Sequence, residues 1–552
     1  MQIVKPDAVS STGSVTRTGT ATYYDSNGYL QISTSGALRF GYNPSTLDFA
    51  GLVVEDSSTN LLLYSNDFTQ AAWNKTAVSS SAVNTVTAPT NTLAAQKITP
   101  SNSLAQHSVS QQLISTAVIG QVYTFSVFAK ADGYSWIRLQ LEGATGTAWV
   151  FINLSTAAIG ASFNVTVQPQ VQKLPNGWVR VSVSKVAGVA SSITAKCFVQ
   201  SEDNQTQDWL SDGTSGIDLY GAQGEAKSMM TSFISTTSTQ QTRAAEVITG
   251  SGLLYTNVTN PYSEWSSTTT YALGDIVVVG TYTGSNTITI ASSGTFKSLT
   301  NSNLNNSPLT SPSNWVKIAP TNQFALFDDK ISSVTSRASD ITMVISCSTV
   351  DSIALLNVIA DNVSCTLSDT GFTQKYLGNV VFSGTRYMLG NPSFDWYGYF
   401  FYDEDTAKTQ ALFLDINKVN SGIITIRISS AATASAGNLV KGKSKYIGGT
   451  QYGASSGIID YSRKETDEFG NTVLTVRNYS KRLSAKVFLT NTNLNKVQQL
   501  LYSIRATPVL WLASDDVKLE EPLVVFGYYK DFDTEIAYPA HSLCNLEIEG
   551  LI

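Results

Sequence analysis

The sequence predicts an all-β protein: modular, jelly-roll-like β-sandwich domains, one small β module, and a β-rich C-terminal domain carrying a single helix. Three observations predict it. Apolar and polar residues alternate with period two in run after run, the pattern of strands with one buried and one wet face. Charged residues are only 14% of the 552 positions while aromatics reach 10%, a balance that suits strands and turns. Helical periodicity is clear in one place only.

Residues 1–50 read as an N-terminal segment and a candidate anchor, with strand-like pieces at 21–24 and 37–40. Residues 51–250 read as the first sandwich. There Tyr123, Phe125 and Val127 alternate with Thr124 and Ser126; Ile137, Leu139 and Leu141 with Arg138 and Gln140; and Val179, Val181 and Val183 with Arg180 and Ser182. The Ser- and Thr-rich stretch 235–242 is expected to be a seam. Residues 251–320 form a small module, closed by a second seam near Pro320. Residues 321–552 form a larger β-rich domain in which Ile424, Ile426 and Ile428 alternate with Thr425 and Arg427. Its helix is expected over 493–504, where Leu494, Val497, Leu500, Leu501 and Ile504 share one face and Asn491, Thr492 or Asn493 caps the start. No period of 20–50 residues marks a solenoid.

Composition excludes several classes. The formal net charge of −6, with no Lys/Arg cluster, argues against a nucleic-acid partner, because phosphate binding needs concentrated positive charge. No apolar run approaches the ~20 residues of a membrane helix, and residues 1–20 lack the apolar heart of a signal peptide. The chain is therefore expected to be made in a cytoplasm and to stay soluble until assembled, without membrane insertion. Cys197, Cys347, Cys365 and Cys544 have neither CxxC nor metal spacing and read as free buried thiols.

Two catalytic patterns occur and lack their context. Residues 437–444 (Gly-Asn-Leu-Val-Lys-Gly-Lys-Ser) match the phosphate-loop pattern, but that chemistry needs a strand before and a helix after, and neither is foreshadowed; a glycine turn between strands is expected. Residues 453–457 (Gly-Ala-Ser-Ser-Gly) match the nucleophile elbow, with only His107 and His541 to serve as imidazole base. Two histidines and no HExxH leave no histidine-based zinc site. The acidic clusters Asp328-Asp329, Asp403-Glu404-Asp405, Asp467-Glu468 and Asp531/Asp533/Glu535 read as solvated surface. No metal site and no cofactor are expected, although hard oxygen ligands suffice for a structural calcium ion.

Three sets of words carry resemblances. The first is Asp208-Trp209, Asp212 to Gly216, Leu219 to Gln223, Thr231 to Ile234 and Thr242 to Glu246, with upstream partners at Arg39-Phe40, Tyr42 to Pro44, Gly51 to Glu55 and Thr59 to Tyr64, and Asn176 to Val181 between them. Over roughly 15–246 this resembles the carbohydrate-binding-like β-sandwich of bacteriophage virion proteins, a family found on tail fibres, spikes and head fibres. Tyr220 stands where that family usually has Trp, Ser235 where it has Pro, and Gly224 where it has an apolar residue. The second set is Trp265, Thr270-Tyr271, Gly274 to Val277, Phe296 to Ser298 and Trp315-Val316, which looks like the small chitin-binding-type modules, with an insertion at 280–294. The resemblance implies that Trp265, Tyr271 and Trp315 stack on sugar faces, as flat π surfaces match apolar C–H faces; the alternative is that they fill a small core. The third covers 321–552 and is similar to C-terminal regions of phage structural proteins. Its dense aromatic run at 394–402, with Trp396, Tyr397, Tyr399 and Phe400, builds either a core or a subunit interface.

Together these imply a non-enzymatic virion protein: a tail-associated fibre, spike or adaptor that contributes to tail assembly or to attachment at host-surface glycan. Its expected partners are other tail or virion proteins and itself, as a homotrimer or ring. A head or collar decoration and a polysaccharide depolymerase or esterase are the alternatives.

Overall fold

The computed structural model describes residues 1–552 apart from 10, 145, 206–207, 250, 285, 370–373, 383–385, 389–404, 408, 467–468, 470–471, 515–520 and 537. The fold is all-β, with one α-helix among the described residues. The chain forms two compact units, residues 15–247 and residues 1–14 with 248–552. The N-terminal 50 residues are thus divided between the two units.

Unit 15–247 is a sandwich of two antiparallel sheets. Its sandwich strands, numbered along the chain, are β1 (Asn74–Thr76), β2 (Val78–Ser80), β3 (Val86–Thr87), β4 (Leu93–Pro100), β5 (Ser108–Ile114), β6 (Val122–Asp132), β7 (Trp136–Gly143), β8 (Thr147–Asn153), β9 (Ala158–Phe163), β10 (Val171–Lys173), β11 (Val179–Val186), β12 (Ile193–Gln200) and β13 (Gly216–Glu225). One sheet runs β2-β4-β13-β6-β11-β10, with β3 also on β4; the other runs β9-β8-β7-β12-β5-β1. Period-two alternation explains the core. Tyr123, Phe125, Val127, Val181, Val183, Ile217 and Leu219 from the first sheet meet Ile137, Leu139, Leu141, Val150, Ile152, Cys197 and Val199 from the second. Each fully buried aliphatic or Phe side chain contributes about 1.5–3 kcal/mol.

The words at 39–64 and 219–246 are brought together as a buried polar bracket. Arg39 donates from Nε and Nη2 to Glu246 (2.8 and 2.7 Å) and from Nη2 to Glu55 (3.0 Å). Arg17 reaches Glu246 at 2.6 Å and Arg243 reaches Glu55 at 3.1 Å. Asn60 donates to the carbonyls of Ala222 and Ile234 and accepts from the N–H groups of Leu62 and Gly224. A Cβ at Gly224 would fall 1.9 Å from Leu113 Cδ1, so a larger residue there would have to displace the buried Leu113 side chain. Tyr220 packs with Phe128, Trp178 and Phe233 in a second cluster on the outer side of the first sheet. The stretch 235–242, expected as a seam, lies inside this unit, where buried Thr236 donates to the Leu62 carbonyl.

One acid in this unit is held against its ordinary state. Asp218 on β13 is 4% exposed and its Oδ1 has no partner. Burial and the Asp132 carboxylate push its pKa up to about 6, against Lys130 and Lys97. The folded state therefore holds this proton more tightly than the unfolded chain, and stability falls as pH rises from about 4 to 6. Asp218→Asn is expected to raise stability by about 1–2 kcal/mol at pH 7.5 and to leave it unchanged near pH 4, read from thermal unfolding at both values.

The other unit holds a ten-stranded sheet and a six-stranded sheet. Strand Gln2–Pro6 lies inside the larger one, antiparallel to both Asn438–Tyr446 and Val509–Leu512. The smaller sheet runs Ser11–Thr12, Gly252–Thr256, Ile341–Val350, Val419–Ser429, Asn362–Asp369, Gln374–Val381. Ile424, Ile426 and Ile428 point into its core as their alternation predicts. The helix α1 (Leu494–Ser503) packs Val497 and Leu501 on the larger sheet's core. Asn493 occupies its N-cap position without a side-chain cap bond, donating instead to Thr490 Oγ1.

Residues 438–444 of the phosphate-loop pattern lie in the strand Asn438–Tyr446 and are not the turn expected from the sequence. The strand pairs with Gln2–Pro6 on one side and Ser352–Leu356 on the other, and Lys441 is spent on a buried pair with Asp7 at 2.6 Å. In the elbow pattern, Ser455 faces Ser484 while His541 faces Thr490, six residues further along the same strand, so nucleophile and base lie about 20 Å apart. All four cysteines are free and buried.

Candidate functional site

The three rings expected to stack on sugar are placed in the small module, within strands Thr270–Tyr271, Ile276–Val279, Gly294–Ser298, Asn303–Leu304 and Trp315–Ala319. Tyr271 and Trp315 are interior: they meet edge to face at 5.2 Å, with Val277 and Phe296 around them. Trp315 Nε1 donates to Asn306 O, and Tyr271 Oη accepts from Ser266 N. Their faces are used for packing because a module this small lacks aliphatics enough for a core, so neither offers a sugar platform. Trp265 is partly buried against the same cluster. The 280–294 insertion is structural as well: Tyr282 is buried in the six-stranded sheet's core and donates to Leu254 O. Trp396, Tyr397, Tyr399 and Phe400, like Asp403-Glu404 and Asp467-Glu468, lie outside the described residues. Among the described residues no group of three or more His, Cys, Asp or Glu could hold a metal.

A different surface has the makings of a ligand site: the outward face of the six-stranded sandwich sheet. Because Ile137, Leu139, Leu141, Val150, Ile152, Ala195, Cys197 and Val199 face the core, the opposite phase puts Arg138, Gln140, Glu142, Trp149, Phe151, Lys196, Phe198 and Gln200 outward. Cross-strand register sets these in rows. Phe151, Arg138, Phe198 and Ser108 form one; Phe163, Trp149, Gln140, Lys196 and Ser110 form the next; Thr147, Glu142, Thr194 and Gln112 form a third.

The rings enclose a cation. The Arg138 guanidinium lies 4.7 Å from the Phe198 centroid, 5.5 Å from Trp149 and 5.8 Å from Phe151, a geometry in which the ring quadrupoles stabilise it. Trp149 stands edge-on to Phe151 and stacks with Phe163 at 5.9 Å and 23°. Phe163 is 56% exposed. Beside the rings a polar relay runs from Arg138 Nη2 to Gln140 Oε1, and from Gln140 Nε2 and Lys196 Nζ to Glu142 Oε2. Burial draws the Arg138 pKa below its ordinary value, with Glu142 opposing.

Phe151 and Phe198 point outward yet are 1% exposed, so something covers them. Asp203, just past β12, accepts from the Ala161 N–H on β9 at 2.9 Å, and a Cβ on Gly160 would strike its carboxylate. The 201–205 loop therefore straps this end of the face, braced by reciprocal Ser201–Gln205 hydrogen bonds. The face thus has a covered, cation-bearing end and an open strip of Phe163, Trp149, Glu142 and Lys196. Flat apolar rings beside fixed donors and acceptors are what a polyhydroxylated ring needs: C–H faces for the rings, hydroxyls for the polar groups.

Sequence alternation placed Arg138 and Gln140 opposite the core, on a face expected to be wet; both are instead 4% exposed. It missed Trp149, Phe151 and Phe198. The signal was available: Trp149 and Phe151 alternate with core residues Val150 and Ile152, so their rings had to point away from the core.

No protein-family profile and no curated protein matches the chain. Among solved structures, it is similar to the Clostridium thermocellum N-terminal endo-1,4-beta-D-xylanase 10B CBM22-1–GH10 modules complexed with xylohexaose, at 14% identity over 30% of this chain and 27% of that one, with a TM-score of 0.19. The chain thus spans about a quarter of that protein's length, and a likeness so slight carries no weight for the site.

Proposed function

We propose that this chain is a non-enzymatic structural protein of a bacteriophage particle, associated with the tail, and that its sandwich attaches to host-surface glycan. The particle assignment rests on the sequence resemblances, whose most specific words are those that build the polar bracket. The attachment role rests on one observation: the outward face of the six-stranded sheet carries a stacked Phe163–Trp149 pair beside a polar relay, where an idle wet face would carry small polar groups. Such a face holds a single sugar weakly. Many copies on one particle convert weak sites into avid attachment.

Glycan arrays and calorimetry on the purified full chain test this. Phe163→Ala removes an exposed ring and is expected to weaken glycan binding five- to tenfold with unchanged thermal unfolding; adding Trp149→Ala should take the loss beyond tenfold. Binding indifferent to both changes would overturn the site. Release of reducing sugar from a bound polysaccharide would overturn the non-enzymatic reading.

A further inference from the structure

We infer that the glycan taken by this face is acidic, a polysaccharide bearing carboxylates on its pyranose rings, with Arg138 reading the carboxylate. This rests on the glycan-attachment reading above and names its ligand class.

The argument begins with charge. Arg138 is 4% exposed and makes no ion pair among the described residues. The nearest carboxylate on the face, Glu142, is already engaged by Lys196 and Gln140. The guanidinium spends one hydrogen bond, on Gln140, and its Nε–H is buried with no acceptor. Buried cations are ordinarily paired, and a buried donor without an acceptor calls for an explanation. Three rings offset part of the desolvation, but they accept no hydrogen bond from Nε.

Gln200 makes the same point independently. It is fully buried, lies on the same outward phase two residues beyond Phe198, and neither its Oε1 nor its Nε2 has a partner. One face thus gathers an orphaned guanidinium N–H, an orphaned amide N–H and an orphaned amide oxygen. Arg138 and Lys196 stand among Glu142 and the strap's Glu202 and Asp203, so the cation lies in acidic surroundings, in a chain whose net charge is −6. An acidic protein repels polyanions over most of its surface, so a cation kept in a ring-lined recess selects for a ligand that brings its charge to that point.

A neutral sugar would leave the guanidinium as it is. A carboxylated pyranose supplies both complements: a C–H face for Phe163 and Trp149, and a planar anion for the guanidinium edge, the pairing Arg makes with most directional specificity. The strap at 201–205 must yield for the carboxylate to arrive. It is fastened to β9 through the Asp203 carboxylate, which accepts one backbone hydrogen bond.

The test compares oligogalacturonate with its methyl ester, identical but uncharged, by calorimetry on the full chain, with neutral oligosaccharides of several linkages as a third arm. The acid is expected to bind at least tenfold tighter than the ester, and the difference should vanish in Arg138→Gln, where the ester binds as it does to the wild type. The wild-type comparison stands even where the variant fails to fold. Equal binding of acid and ester overturns the acidic class while leaving glycan attachment intact. Loss of acid and ester alike in a folded Arg138→Gln makes Arg138 a structural prop and also overturns the inference. Binding of none of the three arms overturns the attachment reading beneath it.

Discussion

Replacing Glu246 by Gln is expected to cost the 15–247 unit on the order of 3–5 kcal/mol, the range for breaking a buried charge network by removing one partner. Glu246 is the hub of the bracket: its two oxygens accept from Arg17, from two nitrogens of Arg39 and from the Glu55 backbone N–H. The amide keeps the shape and loses the charge, leaving Arg17 without its carboxylate and Arg39 and Arg243 to share Glu55. For a unit of this size that corresponds to a melting transition about 10 °C lower, read by calorimetry on the full chain. A shift below about 2 °C would mean that the bracket is ornament and that sheet packing alone holds the ends together. The pH dependence has a definite sign. Burial pushes the Glu55 carboxyl up, but Arg243, Arg39 and the donors of Ser232 outweigh it and hold its pKa below the ordinary value. An acid with a depressed folded pKa stabilises fully above its unfolded pKa, about 4.3, and loses that contribution as pH falls towards the folded one. The Glu55 contribution should therefore be level above about pH 5 and fall below it, against the opposite trend that Asp218 sets between about pH 4 and 6, and Glu55→Gln should flatten the acid-side fall.

The bracket also marks where sequence reading succeeds and where it stops. Alternation over Ile137–Leu139–Leu141 and over Ile424–Ile426–Ile428 gave the strands their correct faces, because one side of each is buried and period two is then obligatory. The helix was legible for the same reason, in its own period. The words at 39–64 and 219–246 were visible as a pair, but their letters do not say that Glu246 and Arg39 meet; that contact joins residues 207 apart. The aromatic residues of 251–320 were visible in the sequence, but an aromatic in a short β unit is chemically equal to the tasks of platform and core; only packing separates them, and it assigned Tyr271 and Trp315 to the core. The site on the sandwich was half legible. Alternation put Arg138 and Gln140 opposite the core of a recognised strand but made that face wet, whereas both are buried; the rings that enclose the guanidinium come from β8 and β12, whose neighbours in space are set by register. The strap depends on Gly160 leaving room for Asp203, a contact with no sequence period at all.

Lys441→Met carries the second large effect. In the phosphate-loop pattern the lysine that meets phosphate is Lys443, at the end of a loop that leads into a helix; here it lies within the strand Asn438–Tyr446. Lys441, a variable position of that pattern, is 1% exposed and pairs with Asp7 at 2.6 Å, beside Ser251 at 2.8 Å. The strand forms despite a glycine and three lysines because neighbours on both sides satisfy its backbone, and that context outweighs local propensity. A Cβ at Gly442 would come 1.9 Å from Lys5 O, so glycine there serves close strand approach. Burial pushes Asp7 up while Lys441 and the donors of Ser348 and Ser251 bring it below its ordinary value. With methionine at 441 those two donors alone face a carboxylate that is 21% exposed. The expected loss is about 2–3 kcal/mol, less than for a fully enclosed pair because water reaches Asp7. Asp7→Asn combined with Lys441→Met should recover most of it, since the partner's charge is removed too. ATP at millimolar concentration with Mg²⁺ should leave the wild-type melting temperature unchanged; a ligand-dependent rise abolished by Lys443→Met would return these residues to phosphate binding and the strand reading would fall.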